Sequence, residues 1–148
     1  FILPERKRPA KDRPLSSFEC SIVFVTVCTK DRKPLLANSV AHQTLIALWS
    51  DAAFWAVGRY VIMPDHIHLF AREASWRSPS ISRWVGWWKR EFSKCIGLHG
   101  VWQQGLWDTR LYRLETYLQK VEYVRTNPVR AELVTDAEQW QYQGAIHT

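Results

Sequence analysis

The sequence predicts an α+β fold: a ferredoxin-like antiparallel sheet with helices on one face and a tyrosine-bearing helix facing the strand that carries two histidines. Three observations predict it. Segments follow the order strand, helix, strand, strand, helix, strand, the pattern of a split βαβ unit. The two middle strands are separated only by the Met63-Pro64-Asp65 turn, which is short enough to make them a hairpin. A last helix has an apolar and a polar side, so it must cover sheet rather than stand in solvent. A chain of 148 residues is long enough for one domain with a sizeable core.

Each element has its own signal. From Ser21, the run SIVFVTVC is β-branched and apolar on both faces, a buried strand broken by TKDRKP. Ser39 caps a helix through Asp51 whose apolar positions are Val40, Leu45, Ile46, Leu48 and Trp49. FWAVGRYVIM and HIHLFARE are the hairpin strands. Residues 80–96 give the clearest helix, with Ile81, Trp84, Val85, Trp88, Phe92 and Cys95 on one face. VWQQGLWDTRLY reads as a further strand. LETYLQKVEYVRTN reads as a helix with Leu114, Tyr117, Leu118, Val121 and Val124 inward, ended by Pro128, which disfavours helical geometry at the residue before it.

Composition limits the function. Hydrophobic residues make up 47% and charged residues 23%, with no apolar run of the roughly 18 residues a membrane span requires. The three cysteines, Cys20, Cys28 and Cys95, show no CxxC spacing, which argues against a disulfide scaffold or zinc knuckle and for a reducing compartment. The opening FILPERKRPAKDRP lacks the apolar stretch of a signal peptide, so a cytoplasmic, nucleoid-associated protein is expected. A net charge of +6 with nine tryptophans suits a nucleic-acid partner, because phosphates attract cations and unstacked bases pack on flat rings. Residues 1–17 form a basic arm in which Arg6, Lys7, Arg8, Lys11 and Arg13 face only Glu5 and Asp12; 18–148 form the domain. On the helix over 80–96, the stripe Arg83, Trp87, Arg90 and Lys94 opposes the apolar face and suits phosphates and a stacked base.

The chemistry centres on two segments. His66 and His68 lie two apart on a strand, so both imidazoles project from one face while Ile67 and Leu69 project from the other. Two neutral imidazoles side by side suit a divalent metal and leave positions open for a phosphate oxygen. On the last helix, Thr116, Lys120, Tyr123 and Asn127 form a polar stripe, so a phenol and an amide one turn apart can meet the same phosphate, with Lys120 as a neighbouring cation.

MPDHIHLF, WQQGLWDTR and YVRTNPVRAELV, in this order and spacing, resemble the REP-associated tyrosine transposases, relatives of the single-tyrosine HUH transposases; the likeness runs from about Phe18 to Tyr142. The resemblance implies that Tyr123 is the nucleophile, that His66 and His68 bind a divalent cation, and that Asn127 completes the metal site. It implies single-stranded DNA with a palindromic hairpin as substrate, for which Lys120, Arg130, the arm and the Arg83 stripe are the candidate contacts. It also implies a monomer or homodimer. Magnesium or manganese is favoured over zinc, since no thiolate is present and one ligand is an oxygen. Tyr123 would then form a 5′-phosphotyrosine, and strand rejoining would need no nucleotide cofactor, in keeping with the lack of a phosphate-binding glycine loop. Two positions depart from the family: Glu132 stands where a glycine is usual, and the tail reads WQYQG rather than WPWSS. A non-catalytic DNA-binding protein, or a phosphodiesterase using water, are alternatives that share parts of this pattern.

Overall fold

The computed structural model describes residues 22–147. The basic arm, with Arg6, Lys7 and Arg8, lies outside the described residues, as does Cys20. The elements are β1 (Ile22–Cys28), α1 (Ser39–Trp49), β2 (Trp55–Ile62), β3 (His66–Glu73), α2 (Ile81–Ile96), β4 (Trp107–Arg110), α3 (Leu114–Arg125), α4 (Asn127–Arg130) and β5 (Gln143–Ala145). They form one antiparallel sheet in the order β4-β1-β3-β2-β5, the expected α+β architecture with one added strand at the edge. That strand, β5, is three residues long, too short to show an alternating pattern in sequence.

The two-residue period of the strands separates two cores. Val23, Val25, Val27, Ile67, Leu69 and Ala71 pack against α1 and α2 through Leu45, Trp49, Val85, Trp88 and Phe92. On the opposite face Phe24, Phe70, Val61 and Met63 pack with Val124, Tyr117 and Val121 of α3. Strand β2 keeps this division only because its register shifts between Val57 and Tyr60. The shift puts Trp55 and Val57 on the same side as Tyr60 and Ile62, which an unbroken strand would place opposite one another.

Several local expectations are corrected. Asn38, rather than Ser39, caps α1, its Oδ1 accepting from the Ala41 amide at 2.9 Å. The buried stripe of α1 runs Ala41, Leu45, Trp49, which leaves Val40 65% exposed. Cys95 is exposed, because Ile96 continues the core side of α2. Leu118 is exposed, because Leu114, Tyr117, Val121 and Val124 already complete the apolar stripe of α3. The segment over 101–112 is strand only at β4; Gly105 turns the chain at φ 83°, and the Lys89 ammonium ties down the Gln103 and Gly105 carbonyls at 2.9 and 3.1 Å. The tryptophans divide. Trp49, Trp55, Trp84 and Trp88 are core, while Trp76, Trp87 and Trp107 remain exposed. Among the described residues no helix is long and apolar enough to cross a membrane.

Pro128 does more than end a helix. The chain leaves α3 at Thr126, and Pro128 sits in the first turn of α4, where its missing N–H is not needed. Helix α4 then ends with the Leu133 amide on the Pro128 carbonyl and the Glu132 amide on the Val129 carbonyl, both at 2.9 Å. Helix α2 ends in the same way, with Leu98 on Ser93 and Gly97 on Lys94. This double-bonded ending requires a left-handed residue. Gly97 supplies it at φ 69°, whereas at α4 Glu132 adopts φ 60°.

The comparison gives a direct stability prediction. Glu132→Gly should stabilise the fold by about 0.5–1 kcal/mol, because relief of left-handed strain outweighs the added freedom of the unfolded chain, and Gly97→Ala should destabilise it by about 1 kcal/mol. Urea unfolding midpoints with unchanged slope test both; a destabilised Glu132→Gly variant would mean that the glutamate side chain contributes more than its backbone costs.

Candidate active site

The site is built on the first residues of β3. Register places His68 across from Thr26 and His66 across from Cys28 on β1, and both imidazoles lie on the α3 side of the sheet. Their rings meet edge to face at 4.8 Å between centroids. His68 stacks on Phe24 at 5.4 Å, and its Nδ1 is hydrogen-bonded to Thr26 Oγ1 at 2.8 Å. Burial, with the nearby charges of His66, Arg130, Lys120 and Arg32, pushes its pKa down to about 3. His68 is therefore a neutral donor throughout the physiological range.

His66 is held from the opposite side by a carboxylate. Its Nδ1 donates to Asp65 Oδ1 at 2.7 Å, and Arg32 Nε donates to Asp65 Oδ2 at 3.0 Å. Burial lowers the His66 pKa; the hydrogen bond and charge of Asp65 oppose the shift without cancelling it. Burial also pushes the Asp65 carboxyl up, but the bonds from Arg32 and His66 outweigh it and hold that group below the usual carboxylate value. Arg32 reaches this position from a tight turn in which Asp31 and Arg32 both have positive φ, 56° and 53°. The proton on His66 Nδ1 leaves the Nε2 lone pair available, the arrangement that carboxylates impose on metal-binding histidines.

That lone pair faces Asn127. The amide Nδ2 lies 3.1 Å from His66 Nε2, bringing the first residue of α4 onto the histidine strand. A half-turn of the amide exchanges nitrogen for oxygen, so the same side chain serves as donor to a bare imidazole or as an oxygen ligand beside it. With the Nδ1 atoms of both histidines engaged by Asp65 and Thr26, their Nε2 atoms and the Asn127 oxygen form a donor set suited to a divalent cation. Among the described residues no group of three His, Cys, Asp or Glu side chains is placed to hold a metal ion.

Tyr123 lies one turn before Asn127 and is 55% exposed. The Arg130 guanidinium sits 4.0 Å above its ring and donates through Nη2 to the Tyr123 carbonyl at 2.6 Å. The short α4 turn thus folds Arg130 back over the tyrosine. Lys120 lies with its Nζ 5.5 Å over the Phe24 ring, whose neighbour in turn is His68. Thr116, Gln119, Lys120 and Tyr123 line a shallow groove of about 260 Å³, the polar stripe expected on α3.

The structure therefore brings together His66, His68, Asn127, Tyr123, Lys120 and Arg130. Arg83, Trp87, Arg90 and Lys94 are not among them: they lie on α2, which packs on the opposite face of the sheet. Sequence reasoning missed Asp65, Arg32 and Thr26. Asp65 was legible as the carboxylate preceding His66. Thr26 becomes visible only once strand register is known.

No family model matches the chain. It is 25% identical over 122 residues to a curated Escherichia coli (strain K12) protein named REP-associated tyrosine transposase, covering 80% of this chain and 73% of that one. A solved structure described as a REP-associated tyrosine transposase bound to a REP hairpin superposes with a TM-score of 0.71 at 23% identity, covering 96% of this chain and 82% of the other. A crystal structure of a transposase-like protein from Deinococcus radiodurans R1 gives a TM-score of 0.49 at 16% identity, over 82% of this chain and 97% of that one. The likeness first read from the histidine, tryptophan and NPVRA motifs is borne out: over most of its length this chain is similar to the REP-associated tyrosine transposases in sequence and in fold.

Proposed function

We propose that this protein is a DNA transposase that binds palindromic hairpin DNA and cleaves and rejoins the adjoining single strand through Tyr123. One observation carries the reading. A paired imidazole donor set on β3 meets an amide at 3.1 Å on the α4 turn, and that amide follows an exposed tyrosine by one helical turn. The relatives support it, since one is named a transposase and the other was solved on a REP hairpin.

Each residue has a task in the proposed reaction. The Tyr123 hydroxyl attacks a backbone phosphorus in line; the new bond is phosphorus to phenolic oxygen, and the bond to the 3′-oxygen breaks. The phenolic proton is lost, and the departing 3′-oxygen takes up a proton to leave as a hydroxyl. Attack by another 3′-hydroxyl on the phosphotyrosine reverses the exchange, one ester replacing another, without nucleotide hydrolysis. Arg130 fixes the ring and, with Lys120, holds positive charge beside the phosphate. His66 and His68 through Nε2, with the Asn127 oxygen, would hold magnesium or manganese, which when bound supplies Lewis-acid stabilisation of the phosphate charge. Asp65, which can only accept, keeps the His66 proton on Nδ1 and so presents its Nε2, while Thr26 holds the His68 ring through Nδ1.

Three measurements test this function. Tyr123→Phe should abolish strand cleavage and the covalent protein–DNA adduct while hairpin affinity stays near the parent value; continued cleavage would instead favour a water nucleophile. His66→Ala or His68→Ala should also remove cleavage, and EDTA should do so reversibly in the parent, with magnesium or manganese restoring it. Full cleavage in EDTA would contradict the metal assignment. Asp65→Asn should raise the metal concentration needed for half-maximal cleavage by about 10- to 100-fold, because it weakens the support of His66 and leaves the three donors in place; an unchanged requirement would deny Asp65 that role.

A further inference from the structure

The α2 face left out of the site above has its own architecture. Between the end of α1, the start of β2 and the first turns of α2 lies a groove of about 690 Å³, lined by Phe54, Arg77, Arg83, Trp87 and Arg90 with Asp51 as its carboxylate. Three guanidiniums against one carboxylate suit a polyanion. Phe54 is 47% and Trp87 39% exposed, so flat apolar rings lie among those cations rather than in the core.

The walls are held in place. Segment 74–79 is fastened to Phe54 by the Ala74 amide at 2.8 Å and the Ser78 hydroxyl, both on the Phe54 carbonyl. The Trp55 indole N–H donates to Pro79 O at 2.9 Å, closing the same corner. Arg90 folds back along α2, its Nη1 at ordinary contact distance, 3.4 Å, from where a side-chain carbon at Gly86 would stand. Beyond the rim, Arg77 lies 4.8 Å over the ring of Trp76, which is 86% exposed and extends the aromatic and cationic surface outward. Lys94, expected to share this face, pairs with Glu91 at 3.2 Å and does not line the groove.

We propose that this groove is a second binding site for single-stranded DNA, separate from the Tyr123 site, in which unpaired bases pack on Trp87 and Phe54 while Arg77, Arg83 and Arg90 hold the backbone. The chemistry selects the occupant. A duplex hides the base faces that exposed rings recognise, whereas an unpaired strand offers both faces and phosphates at short intervals. The choice of DNA rather than RNA rests on the function proposed above. The groove and the histidines are separated in two ways. They lie on opposite faces of the sheet, and the groove borders the Glu73 end of β3 whereas His66 begins that strand, seven residue steps or roughly 23 Å away. A strand engaging both sites must pass round the sheet edge, so the groove holds DNA away from the cleaved phosphate.

Salt-dependent binding of fluorescent (dT)12, an oligonucleotide with no hairpin, tests the proposal. Arg83→Ala and Arg90→Ala should each reduce the slope of log affinity against log salt by about 0.7, and Trp87→Ala should weaken binding about fivefold or more at every salt concentration without changing the slope. Trp87→Phe, which keeps a ring, should retain most of the affinity and guards against misfolding as the cause. Lys94→Ala, which removes a cation paired with Glu91 outside the groove, should bind (dT)12 like the parent. Failure of the parent to bind (dT)12, or parent-like binding by the three groove variants, would overturn the groove. A parent that binds through the groove but forms no covalent adduct would keep this proposal and overturn only the Tyr123 function.

Discussion

The register of the central strand is the constraint on which the rest depends. In β3, His66, His68 and Phe70 face α3 while Ile67, Leu69 and Ala71 face α1 and α2, and neighbouring strands fix that division from both sides. A one-residue slip would bury both imidazoles in an aliphatic core and expose the aliphatic residues, so the register is strongly specified. The shift in β2 between Val57 and Tyr60 belongs to the same requirement, because it realigns that strand with the two cores its neighbour defines.

Electrostatics at the site follow from where this strand lies. Burial keeps His68 neutral, and Thr26 satisfies the ring nitrogen that points away from the open side. His66 is less enclosed and has a carboxylate to orient it, with Arg32 compensating the charge of that carboxylate. The outcome is a pair of uncharged donors beside the cations Lys120 and Arg130. Such a site suits a phosphate, and burial lowers the proton affinity of both imidazoles.

Much of this was legible in sequence because it is periodic. The alternation in HIHLF placed both histidines on one face, and the spacing of Tyr123 and Asn127 placed them on one side of the last helix. What was not legible depended on tertiary context. Asn38 competed with Ser39 as cap, a choice made by which side chain reaches the Ala41 amide. Pro128 read as a stop, yet it opens the turn that delivers Asn127 to His66 and Arg130 to Tyr123. Arg83, Trp87 and Arg90 were identified as a surface for nucleic acid, but their separation from the histidines followed only from the side of the sheet on which α2 packs. Glu132 marks a position whose left-handed backbone became evident only in three dimensions.

The proposed reaction runs through one particular tyrosine, which α3 sets one helical turn before the amide that meets the histidine strand. Tandem mass spectrometry of the protease-digested covalent adduct, formed on a hairpin substrate with a labelled flanking strand, tests it most directly. The expected product is a nucleotide joined through its 5′-phosphate to Tyr123 alone. A nucleotide on Tyr117, Tyr112 or any other side chain, or cleavage with no protein-linked nucleotide, would contradict it.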